Sequence, residues 1–171
     1  MKRSLSTLTE KDLRNLISTL CSATSENALL VKLYLNDKSV LDSFEKKIEK
    51  ALDPDRFSFG EAKHYLSAMK KFCTDQQAVA ELFVFATETG NDITMEYGDI
   101  DENYYCSMEN LFEASCKLVK DLPQNDGRDD LQERLHDLVE ITSGIGWGYH
   151  DTLGDIYFEY LPKTATGEPE H

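Results

Sequence analysis

Apolar residues in this chain recur three and four positions apart in one segment after another, and no long stretch keeps the two-residue alternation of a half-buried strand. Leu13, Leu16, Ile17 and Leu20 form the first such stripe. Leu41, Phe44, Ile48 and Leu52 form another, and Leu131, Leu135, Leu138, Val139 and Thr142 a third. This periodicity confines the chain to helix packed on helix. It predicts helices over 10–22, 26–36, 40–52, 60–73, 75–90, 101–120, 128–143 and 151–161. Ala78 to Ala86 is nearly all apolar and would also suit a buried strand, but its length and the lack of neighbouring strands favour a central helix. The expected fold is all-α, with about eight helices packed as antiparallel pairs, in a bundle or a short α-superhelical stack. At 171 residues the chain suits one domain over 1–162, followed by a polar, flexible tail over 163–171.

Caps and breakers support these boundaries. Thr7 and Glu10 have capping-box spacing, with Thr9 as a rival N-cap. Ser39 is placed to cap the third helix, and Thr74 or Asp75 the fifth. Pro54 and the 123–127 segment are clear breaks. Gly90-Asn91 is a plausible left-handed C-cap, which makes 91–101 an acidic loop. The second helix is apolar on most sides and is expected to be deeply buried.

Charge divides the chain. Residues 1–72 carry 13 Lys+Arg and 10 Asp+Glu, a balance of +3, whereas residues 73–171 carry 5 and 22, a balance of −17. Between Phe72 and Cys116 there are ten acids and no Lys or Arg. Such a surface repels phosphates over a Debye length of about 8–10 Å, so no direct nucleic-acid binding is expected of it. A basic protein partner or divalent cations suit it better. No apolar run approaches the roughly 18–20 residues of a membrane span, and the first residues lack the apolar core of a signal peptide. The expectation is a cytoplasmic protein that does not bind membranes. Cys21, Cys73, Cys106 and Cys116 form no paired motif, and the first, second and fourth fall at or beside apolar helix positions, as small hydrophobes would.

One stretch departs from the helical rhythm. In 143–151, Gly144, Gly146 and Gly148 alternate with Ile145, Trp147 and Tyr149, and His150-Asp151 follows. A phosphate-binding loop is excluded: a helix precedes it, it matches neither glycine-rich phosphate motif, and Asp151 and Asp155 would repel an anion. A continuous helix is opposed by three interior glycines at about 1 kcal/mol each. The favoured reading is a broken connection that turns Trp147 inward, with Tyr149 as a second candidate. Asp99, Asp101 and Asn103 begin like a calcium loop, but Tyr104 stands where that loop needs Gly and Asn110 where it needs Glu. Tyr97-Gly98-Asp99 also echoes Tyr149-His150-Asp151 at a distance of 52 residues. The candidate binding residues are therefore Tyr97, Asp99, Asp101, Glu102, Trp147, Tyr149, His150 and Asp151, bordering a shared acidic cleft. No catalytic constellation appears, and no cofactor is expected.

With Glu96-Tyr97-Gly98-Asp99 and Gly146-Trp147-Gly148-Tyr149-His150-Asp151 both in view, the chain resembles a family of small bacterial proteins of unknown function. The likeness runs from the Leu-rich segment at Leu5–Leu20 to the glycine-aromatic turn. It implies an all-helical cytoplasmic protein and supplies no activity. The leading expectation is a protein–protein interaction module with an acidic C-terminal face. The alternatives are a metal-dependent enzyme or metal-binding protein with an acidic/His cleft around Asp99, Asp101, His150 and Asp151, and an acidic DNA mimic.

Overall fold

Local signals set where each helix begins. The computed structural model describes residues 5–35, 37, 39–98, 100–145 and 148–161, and among them eight helices and no strand form. They are α1 (Glu10–Ala23), α2 (Ser25–Tyr34), α3 (Ser39–Leu52), α4 (Phe59–Phe72), α5 (Gln76–Tyr97), α6 (Glu102–Lys120), α7 (Asp126–Ile141) and α8 (Tyr149–Tyr160). The all-α expectation is met. Thr9 opens α1 with a complete capping box: its hydroxyl accepts from Asp12 N, and the Asp12 carboxylate accepts from Thr9 N. Thr24, Ser58, Asp75, Asp101 and Asn125 cap α2, α4, α5, α6 and α7 in the same manner. Ser39 does not cap α3. It is that helix's first residue, and the Asp37 carboxylate accepts from both its N–H and its hydroxyl.

Helices adjacent in sequence pack in pairs, α1 on α2, α3 on α4, α5 on α6 and α7 on α8. α5 also touches α3, α4 and α7, and α6 also packs on α8. Each of these contacts lies within a pair or between consecutive pairs, the pattern of a short stack of helical hairpins in which each unit meets only its neighbours. Eleven of the 22 residues of α5 are buried, including Val79, Leu82, Phe83 and Val84. Full burial of side chains of this size stabilises by about 1.5–3 kcal/mol each, which makes α5 the energetic centre of the fold.

Three expectations need correction. α2 is not deeply buried: only Leu33 is, while Tyr34 and Leu35 remain 73% and 70% exposed. The helix lies toward one end of the fold, with its main contacts to α1 and lesser ones to α4 and α3. α5 does not end at Gly90-Asn91 but runs seven residues past Gly90 to Tyr97, and Gly98 at φ 77° is its C-cap. Gly90 serves close approach instead. A Cβ there would lie 2.5 Å from Met108 Cε and Sδ on α6. The supposed acidic loop therefore shrinks to 98–101. α8 begins at Tyr149, two residues early, with Gly148 at φ 71° as a left-handed entry. The expected helix break is present: α7 ends at Ile141 and Gly144 also has positive φ. Trp147, Asp99 and the 163–171 tail lie outside the described residues.

Candidate functional site

The proposed cleft divides into parts that do different work. Tyr149 is fully buried, and its hydroxyl donates to Asn91 Oδ1 at 2.7 Å. Its ring lies 5.0 Å from that of Tyr105, which meets Tyr104 edge-on at 5.9 Å. The Tyr104 hydroxyl donates to Gly90 O at 2.5 Å. Burial raises the Tyr104 phenol to about 12 and pushes Tyr149 higher still, so both stay protonated donors at neutral pH. His150 turns away from this knot. Its Nδ1 lies 2.9 Å from Val139 O and 3.4 Å from Thr142 Oγ1, so the imidazole ties α8 to the end of α7. Asp151 is exposed in the first turn of α8, where it favours the helix dipole. This side of the predicted site is structural.

The other side stays near solvent. Asp101 accepts from Tyr104 N and caps α6, and Glu102 occupies the first turn of that helix. Tyr97, 59% exposed, and Asp101 border a cavity of about 510 Å³ whose walls include Phe57, Phe59, Ile93 and Tyr104. The echo between Tyr97 and Tyr149 does not extend to structure, since one is exposed at a helix end and the other is buried at a helix start. Among the described residues, no three His, Cys, Asp or Glu side chains gather as metal ligands would. All four cysteines are free. Cys73 and Cys116 are buried, as expected of small hydrophobes, Cys21 is partly buried, and Cys106 is exposed.

A second concavity, unforeseen in the sequence, lies between α3, α5 and α7. It is an open groove of about 500 Å³ with Phe85, Leu138 and Ile141 among its walls. Glu49, Glu88, Asp92 and Asp137 surround it, and Arg134 is the one base lining it. Arg134 forms a fork on Glu88, with Nε to Oε1 at 2.8 Å and Nη2 to Oε2 at 2.6 Å, and it also pairs with Glu81. These bonds push the guanidinium pKa up and pin α7 to α5. Burial first and Glu88 second raise the Asp92 carboxyl. Burial, then Asp42, Glu81 and Glu49, raise Glu45. One arginine does not neutralise the carboxylates gathered there.

These raised acids have a measurable consequence. A carboxyl with a higher pKa folded than unfolded binds its proton more readily in the fold. Its charged form then costs stability at neutral pH, and the cost fades as pH falls through the raised value toward the ordinary carboxylate range near 4. The melting temperature should therefore rise as pH falls from neutrality toward the raised values, and Asp92→Asn should flatten that slope. Below about pH 4 the trend should reverse. Glu113 is held low first by Lys117 and then by Tyr160, and Asp12 and Asp37 are held low by their cap bonds. Those contributions are present above the ordinary carboxylate value and are lost as pH falls through the lowered ones. A melting temperature that falls steadily as pH is lowered from neutrality would contradict the account.

Two signals for this groove were present in the sequence. Glu81, Glu88 and Asp92 are seven and four residues apart, one stripe of a helix, and Arg134 is one of only two arginines after residue 72. Ending α5 at Gly90 moved Asp92 into a loop and hid the stripe. Comparison with family models, with curated proteins and with solved structures finds no match in any of the three.

Proposed function

We propose that the protein is an interaction module whose groove between α3, α5 and α7 receives a basic, partly apolar segment of a protein partner. The observation that carries this reading is the pairing of apolar walls with an excess of carboxylates around a single arginine. A lysine- or arginine-bearing amphipathic helix complements both features at once. The cavity bordered by Tyr97 and Asp101 has fewer charges and stands as a lesser candidate surface.

The test is titration of the full chain with a labelled amphipathic Lys/Leu peptide at low and high salt. Binding should weaken several-fold as salt rises, because rim charges are screened. Asp92→Asn and Asp137→Asn should each weaken it, whereas Arg134→Met should strengthen it by making the groove more anionic. Affinity lost equally in all three variants would point to unfolding. Affinity unchanged in all three would place any binding elsewhere on an acidic molecule.

A further inference from the structure

The face least explained by the fold is on α1. This helix has a complete cap yet contributes no buried residue. Leu13, Leu16, Ile17 and Leu20 keep between 36% and 46% of their surface open, and Leu5 and Leu8 extend the patch. α1 rests mainly on α2, so its stripe is covered on one side only.

We infer that this stripe pairs with the same stripe of a second copy, the two α1 helices running antiparallel about a two-fold axis between Leu16 and Ile17. The order of the side chains permits this partner. The apolar positions 13, 16, 17 and 20 are symmetric about their midpoint. Antiparallel pairing sets Leu13 against Leu20 and Leu16 against Ile17, leaving none of these four unmatched, while Leu5 and Leu8 fall beyond the partner's α1. It is also the spacing of a helix–helix seam.

Charge points the same way. The four charged residues of α1, Glu10, Lys11, Asp12 and Arg14, all lie in its first half. Antiparallel pairing places them opposite the uncharged Thr19–Ala23 end, whereas parallel pairing would set Glu10 against Glu10 and Asp12 against Asp12. Residues 5–35 carry three acids and three bases, in a chain of net charge −14. Two strongly anionic molecules can therefore meet through this hairpin without the repulsion their other halves would impose.

The open apolar surface of the four stripe residues is on the order of 300 Å². At the roughly 60% apolar share of an ordinary interface, that corresponds to about 500 Å² per copy, or about 1,000 Å² in total, the lower end of specific interfaces. Patches of a few hundred Å² also occur on monomers, so the local charge balance of the hairpin favours this occupant, and the spacing and the area permit it.

Sedimentation equilibrium of the full chain at micromolar concentration should give twice the chain mass. Leu16→Glu should weaken self-association on the order of 100-fold while leaving the circular dichroism and melting temperature of the dilute, dissociated chain unchanged, since the residue is outside the core. A second measurement covers the case in which that variant disturbs the hairpin. With Cys21 and Cys106 changed to Ser, Ile17→Cys should oxidise to a covalent dimer. Glu10→Cys should not, its copies being about 20 Å apart along antiparallel axes. A monomeric wild type, a dimer indifferent to Leu16→Glu, or cross-linking at position 10 in place of 17 would each overturn the inference. So would a monomer that binds neutral phosphatidylcholine vesicles through α1.

Discussion

Tyr149→Ala is expected to lower the free energy of unfolding by about 3–5 kcal/mol, the range for removing a fully buried aromatic ring. Tyr149→Phe keeps the ring and deletes only its hydroxyl. It should still cost about 1–3 kcal/mol, because Asn91 Oδ1 is left buried without its donor. Urea denaturation of the two variants separates packing from hydrogen bonding. Asn91 sharpens the comparison, since its Nδ2 already has no partner among the described residues and the side chain is fully buried. In a double-mutant cycle, Tyr149→Phe with Asn91→Ala should lose less than the two single changes together, with a coupling of about 1 kcal/mol. If Tyr149→Phe is neutral, the contact between α8 and α5 is purely steric.

The second large effect is at Gly90. Inside a helix, glycine normally costs about 1 kcal/mol relative to alanine, so substitution there would ordinarily stabilise. Here the space is taken by Met108, itself fully buried. Gly90→Val should destabilise by about 2–3 kcal/mol through overpacking, and it should also disturb the Tyr104 bond to Gly90 O. Gly90→Ala tests the same contact at lower stress. The methionine tip is flexible, so the propensity gain and the steric cost nearly cancel. Gly60 is the control. It lies in α4 with nothing within 4 Å of an added Cβ, and Gly60→Ala should be neutral or stabilising. Equal responses at the two glycines would mean that Met108 does not crowd α5.

The contrast between these glycines explains what the sequence disclosed and what it did not. Helix type and number were legible because burial on one face imposes a period that survives in the residue order. Caps were legible where a side chain bonds its own neighbours, as Thr9 and Asp75 do, but Ser39, chosen on the same signal, is itself bonded by Asp37. Gly90 was misjudged because a glycine that ends a helix and one that admits another helix look alike in sequence. The difference lies in Met108, eighteen residues away. Tyr149 was singled out for its odd surroundings, but its partner Asn91 is 58 residues distant and had been assigned to a turn. The exposed face of α2 was invisible for a related reason. An apolar helix states that it needs cover, and only the packing of the others reveals how much it receives.

The ties of α5 also bear on the order in which the molecule comes apart. A helix in contact with at least four others cannot open unless most of the fold opens with it, so its amides report the global transition. α1 leans mainly on α2 and none of its side chains is fully buried, so its loss exposes less apolar surface than the loss of α5 would. The hairpin at one end and the column at the centre are therefore separate cooperative units in one chain. Events that occupy or vacate the first need not be felt by the second.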